Sequence, residues 1–221
     1  MPKDDAIKRG GAAIARVILL HGLWMPGMAM RWFAARLRGA GFAPEVFGYR
    51  SIVGDPGAAV RRLAARLGDG GPAHLVGHSL GGLVALQALA EAPQPALGRI
   101  VCLGTPLCGS GAATALSRRT LTALYMGRSG ATLRRGCVIW PSDIEVGMIA
   151  GRVPHGLGAL FAGFDGPHDG TVSVAETRAP RLSDHVVVDA SHSGLLFSRE
   201  AMAQTACFLR TGRFRCDAPA P

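Results

Sequence analysis

The stretch Gly77-His78-Ser79-Leu80-Gly81 sets a serine between two glycines, directly after the apolar run HLVGH (His74 to His78). Between a strand and a helix this Gly-x-Ser-x-Gly spacing has a mechanical reason. The turn is so tight that the chain passes close to itself, side chains at the flanking positions would collide, and Gly77 and Gly81 provide the clearance. The serine then projects from the strand's C-terminal end, with the positive end of the next helix beneath it, where an oxyanion formed in acyl transfer is stabilised. The pentapeptide alone also reads as an ordinary turn with a spare serine, and its context between strand and helix favours the nucleophile. A serine hydroxyl is a weak nucleophile near neutral pH, so a base must take its proton. Histidine, with an unperturbed pKa of about 6.5, suits that task. Seven histidines compete for it, and whichever serves needs a carboxylate to orient its ring and stabilise its positive form.

Short apolar runs alternate with amphipathic ones along the chain. After a loose, polar start over 1–11, ARVILLHG reads as a buried strand ending in a turn at His21-Gly22, followed by a helix near Met28 to Arg38. PEVFGYR reads as a second strand. Ala58 to Leu67 places Val60, Leu63, Ala64 and Leu67 on one helical face, with Arg61, Arg62 and Arg66 opposite. HLVGH is then a strand, Gly81 to Ala90 a helix stopped by Pro93 and Pro95, and RIVCLGT (Arg99 to Thr105) a strand. Either CVIW (Cys137 to Trp140) or EVGMIAG (Glu145 to Gly151) continues the sheet, HVVVDA (His185 to Ala190) follows, and a helix near Ser198 to Leu209 closes the fold. Such alternation predicts an α/β fold: a mostly parallel central sheet with helices on both faces. One domain over 1–221 is expected, with 107–135 and 152–168 as excursions that shape the site.

A formal charge of +9 suggests nucleic acid, but the basic residues are scattered from Arg9 to Arg215 without a long run or interleaved aromatics. A solvated surface explains them better, which leaves peripheral contact with an anionic lipid surface open. Asp4 and Asp5 stand where an export signal would be basic, and no apolar run approaches the roughly 20 residues of a membrane span. A cytoplasmic location is the expectation. The five cysteines (Cys102, Cys108, Cys137, Cys207, Cys216) form no C-x-x-C pair, so neither a metal site nor a disulfide framework is indicated. Reduced thiols are expected, although Cys207 and Cys216 are close enough to pair in an exported protein.

Three blocks, LLHGLW (Leu19 to Trp24), LVGHSLGGL (Leu75 to Leu83), and HDGTVSV (His168 to Val174) with SHSGLL (Ser191 to Leu196), resemble the α/β-hydrolase superfamily. The likeness is to its lipase and esterase branch, as a small core without a large cap. It implies the chain order nucleophile, acid, histidine, with the histidine on a loop after the last strand. His192 fits that place. His185 starts the strand and reads as structural, His74 and His78 belong to the strand before Ser79, His168 is a site-edge residue and His155 is solvated. Asp169 matches the family's acid turn, with Asp165 as runner-up, while Asp143 and Asp189 read as turn or capping residues. The resemblance also implies an oxyanion hole made by the backbone N–H groups of Leu80, after the nucleophile, and Leu23, after the early strand.

Trp24, Met25, Met28 and Leu107 are candidates for the wall of an acyl pocket, and equally for the core. The reading is a serine carboxylester hydrolase, an esterase or lipase, acting on a small-molecule or lipid ester without metal or organic cofactor. A thioesterase or acyltransferase would use the same residues, and a non-catalytic binding protein of the same fold is the alternative of another class. Oligomeric state is not encoded in any motif of this sequence.

Overall fold

In a computed structural model, which describes residues 15–23, 27–51, 55–89, 97–107, 140, 143–155, 164 and 166–216, the alternation resolves into one six-stranded sheet. Its strands are β1 (Arg16–Leu20), β2 (Ala43–Phe47), β3 (Ala73–His78), β4 (Leu97–Leu103), β5 (Val146–Gly151) and β6 (Asp184–Val188). They lie in the order β2-β1-β3-β4-β5-β6, every neighbouring pair parallel. Parallel neighbours need crossovers, and three of them are helical: α1 (Gly27–Gly39) joins β1 to β2, α2 (Pro56–Asp69) joins β2 to β3 and α3 (Leu80–Ala88) joins β3 to β4, while α4 (Arg199–Thr211) follows β6.

Both faces of the sheet are covered, which is why the central strands read as unbroken apolar runs. Ile18, Leu20, Leu75, Ile100 and Met148 point to the core shared with α2 and α3, whereas Val17, Leu19, Val76, Val101 and Ile149 point to the core shared with α1 and α4. The face expected of α2 is the one it buries: Val60, Leu63, Ala64 and Leu67 are inside, and Arg61, Arg62 and Arg66 are exposed. Asp55 caps this helix by accepting from the N–H groups of Gly57 and Ala58, and Pro56 occupies its first turn. In α3, by contrast, Leu80 to Leu86 and Ala88 are all buried, because this helix lies under the sheet's centre.

Of the two candidates for the fifth strand, EVGMIAG enters the sheet as β5; of CVIW, Cys137 to Ile139 lie outside the described residues. So do 1–11, nearly all of the first proposed excursion, and Cys108. One expectation is corrected. Cys207 and Cys216 are not free thiols but a disulfide, with Cα atoms 5.7 Å apart. α4 ends at Gly212, whose φ of 77° reverses the chain and brings Cys216 back against the last turn of α4. Cys102 stays a free, buried thiol, and burial pushes its pKa up to about 12. Among the described residues, no helix is long and apolar enough to cross a membrane.

Candidate active site

Because all six strands are parallel, their C-terminal ends share one edge, and the turns leaving that edge carry the groups singled out above. Ser79 leaves β3 at φ 53° and ψ −120°, a conformation that side chains rarely adopt. The glycines make it possible. A methyl group at Gly77 would strike the backbone of Gly81 and Gly82, and one at Gly81 would strike the carbonyl of Leu20. The turn is also tied down by its backbone: the Ser79 N–H donates to the Leu103 carbonyl (2.9 Å), and the Ser79 carbonyl accepts from the Thr105 hydroxyl (3.0 Å) and the Gly82 N–H (3.0 Å). Although Ser79 sits at the N-cap of α3, its side chain makes no capping bond, so its hydroxyl is not used up on the helix.

Asp169 and His192 meet through their side chains, His192 Nδ1 lying 2.7 Å from Asp169 Oδ2. The backbones meet too, the His192 N–H donating to the Asp169 carbonyl at 2.8 Å. Asp169 is 1% exposed, and its other oxygen accepts from the N–H groups of Thr171 (2.9 Å) and Val172 (2.7 Å) inside a turn that Gly170 makes at φ 94°. Burial opposes ionisation of this carboxyl, but the His192 ring and the two N–H donors outweigh it, so its pKa lies below the usual carboxylate value. A carboxylate only accepts; the His192 proton therefore sits on Nδ1, and Nε2 keeps a free lone pair. Gly104, at φ 55° after β4, lets this pair approach: a methyl group there would lie 3.1 Å from both Asp169 Oδ2 and His192 Nδ1.

The turn after β1 closes on the serine from the other side. A methyl group at Gly22 would come 3.0 Å from Ser79 Cβ, so Leu23, the next residue, is held close to Ser79. Leu80 opens α3, where the first N–H groups of a helix have no partner within it. Tyr49, two residues past β2, braces the turn after β1: its hydroxyl donates to the His21 carbonyl at 2.5 Å, and its ring stacks on the His21 ring with centroids 4.4 Å apart.

Among the other histidines and acids, His155 is exposed, His168 accepts the Gly170 N–H beside Asp169, and His185 bonds Thr177 Oγ1. His74 accepts the Arg99 N–H. Asp143 is exposed and Asp189 pairs with Arg152 at the surface; Asp165 lies outside the described residues. Of the proposed pocket residues, Met28 stands 73% exposed and Leu107 is fully buried in the α2 and α3 core; Trp24 and Met25 lie outside the described residues. Sequence reading overlooked Tyr49, Thr105 and His78 as site residues. Tyr49 is the next-to-last residue of the strand segment PEVFGYR and Thr105 the last of RIVCLGT, and a polar residue near that end of a parallel strand was the available signal. Among the described residues, no group of three or more His, Cys, Asp or Glu side chains could hold a metal ion.

Comparison with known proteins agrees with this architecture. No curated protein matches the sequence. Among solved structures, the mature form of the Bacillus licheniformis lipase BlEst2 superposes with a TM-score of 0.71 at 20% identity, over 93% of this chain and 94% of that one. Its propeptide form gives 0.73 at 18% identity, over 98% of this chain and 54% of the longer one. The RedJ thioesterase of the prodiginine pathway in Streptomyces coelicolor gives 0.56 at 15% identity, over 91% and 86%. Identities this low show a common fold. A family model described as "Alpha/beta hydrolase family" matches residues 17–185, most of the sequence. The chain belongs to the alpha/beta hydrolase family.

Proposed function

We propose that this protein is a serine hydrolase of carboxylic esters, working through an acyl-enzyme. The observation that carries the reading is the buried Asp169–His192 pair at 2.7 Å, on loops at the same sheet edge as a serine in a strained turn. Ser79 Oγ attacks the ester carbonyl while His192 Nε2 takes its proton, and Asp169 stabilises the imidazolium that results. The carbonyl oxygen, now an anion, accepts from the N–H groups of Leu23 and Leu80. Collapse expels the alcohol, which leaves with the proton from His192. Water repeats the sequence on the acyl-enzyme and frees the acid and Ser79. The lipase among the structural neighbours fits this substrate class.

Ser79→Ala tests the reading, using turnover of p-nitrophenyl esters. Loss of the nucleophile is expected to lower kcat by about a thousandfold or more, and activity within about tenfold of wild type overturns the assignment. The same acyl-enzyme forms from a thioester, so parallel rates on an acyl thioester and its oxygen ester define the substrate class.

A further inference from the structure

A third histidine reaches the site with no part in the chemistry above. His78, the last residue of β3, is 1% exposed, and its Nε2 lies 2.9 Å from the backbone carbonyl oxygen of His192, 114 residues further along the chain. A carbonyl only accepts, so Nε2 carries the proton and Nδ1 is bare. The two imidazoles are in contact, with centroids 4.8 Å apart. On its other side the ring meets the turn after β1, since a methyl group at Gly22 would lie 2.9 Å from His78 Nδ1. Nδ1 is buried and has no hydrogen-bond partner among the described residues, so the ring keeps a one-sided hold on its surroundings.

Both backbone groups of His192 are thereby pinned, each to a different part of the site. Its N–H is bonded to the carbonyl of Asp169, and its carbonyl accepts from the residue next to Ser79. The first bond fixes His192 relative to the acid. The second fixes it relative to the nucleophile, and no other bond among those described does so. We propose that His78 is a positioning residue whose Nε2–H holds the His192 backbone and so sets the base over Ser79. The inference rests on the reading of His192 as the base. Burial, followed by the neighbouring His192, pushes the His78 pKa down to about 3, so His78 remains a neutral single donor throughout the neutral range. Its side chain is enclosed by protein on both sides, so its loss bears on the chemical step and leaves substrate binding alone.

Three substitutions in the full chain test this. His78→Gln places an amide nitrogen as many bonds from the backbone as Nε2 and keeps the donor; His78→Asn brings it one bond short; His78→Phe keeps a ring and removes the donor. On p-nitrophenyl butyrate, the Gln variant is expected within about fivefold of wild-type kcat, and the Asn and Phe variants at least about thirtyfold down with KM within about threefold. In a His192→Ala background, His78→Phe is expected to change the residual rate by less than about twofold, because its effect passes through the base. Folding is checked by circular dichroism. A folded Phe variant within about threefold of wild-type kcat overturns the inference, as does an Asn variant equal to Gln, or a Phe effect that persists without His192. Should the Phe variant not fold, the Gln and Asn pair decides by itself. If Ser79→Ala retains activity, the proposed function fails; if Ser79→Ala is inactive while the His78 variants match wild type, only the role of His78 fails.

Discussion

Tyr49 touches the turn after β1 in two ways, through a hydroxyl bonded to the His21 carbonyl and a ring stacked on the His21 imidazole. Burial drives the phenol pKa upward, so the O–H remains a donor. Tyr49→Phe separates the two contacts by keeping the stack and leaving the carbonyl without its donor. The expected outcome is kcat lower by about three- to tenfold with KM nearly unchanged, and a loss of about 1–2 kcal/mol in urea unfolding. Unchanged kcat would mean that the turn holds its shape without the hydroxyl. Ser79, Gly77 and Gly81 were legible in the sequence because their constraint acts between neighbours in a tight turn. Asp169 and His192 became legible through the order in which the family's blocks occur. Tyr49, Thr105 and His78 were not, because their partners lie 28, 26 and 114 residues away and only the sheet brings them together.

Among the elements, α4 is the one whose end the sequence left unread. Its apolar face was visible, and Met202, Ala206, Phe208 and Leu209 are indeed buried. The return of Arg213 to Cys216 along its last turn was not, since it depends on the left-handed Gly212 and on a bond between Cys207 and Cys216, nine positions apart. Closing so short a loop restrains the unfolded chain by about 2–3 kcal/mol on the loop-entropy account. Replacing both cysteines by serine is therefore expected to lower Tm by about 5–10 °C. The rate at 25 °C should stay within about twofold, because the bond lies away from the four loops of the site. Calorimetry and an ester assay on the same sample check both halves. A disulfide persists in oxidising compartments and is reduced in the cytosol, so this increment depends on where the chain resides. The fifth strand shows another limit of pattern reading. CVIW and EVGMIAG are both short, apolar and bounded by turn residues, and periodicity does not separate them; β5 is settled by its pairing with β4 and β6.

Across the whole molecule, the parallel sheet does the assembling. Turns after β1, β3 and β6, and the connection between β5 and β6, deliver Leu23, Ser79, His192 and Asp169 to one edge, although these residues span most of the sequence. The alternation of strands and helices made this architecture readable, because a sheet covered on both faces needs apolar strands and one-sided helices throughout. The pocket was not readable in the same way: whether an apolar residue near a strand end faces substrate or core depends on packing, and Leu107 proved to be core.

If Ser79 acts as proposed, its φ of 53° sets the stability of the molecule against its activity. A non-glycine residue held there costs about 1–3 kcal/mol, a load that the remaining fold has to carry. Glycine accepts that angle freely, and even after its greater freedom in the unfolded chain is counted, Ser79→Gly is expected to raise Tm by about 2–4 °C. Ser79→Ala keeps the strain and should melt near wild type; a Gly variant melting no higher than the Ala variant would show that the turn carries no such load. On the proposed role of Ser79 as nucleophile, the sturdier glycine variant would then be one that no longer turns over ester.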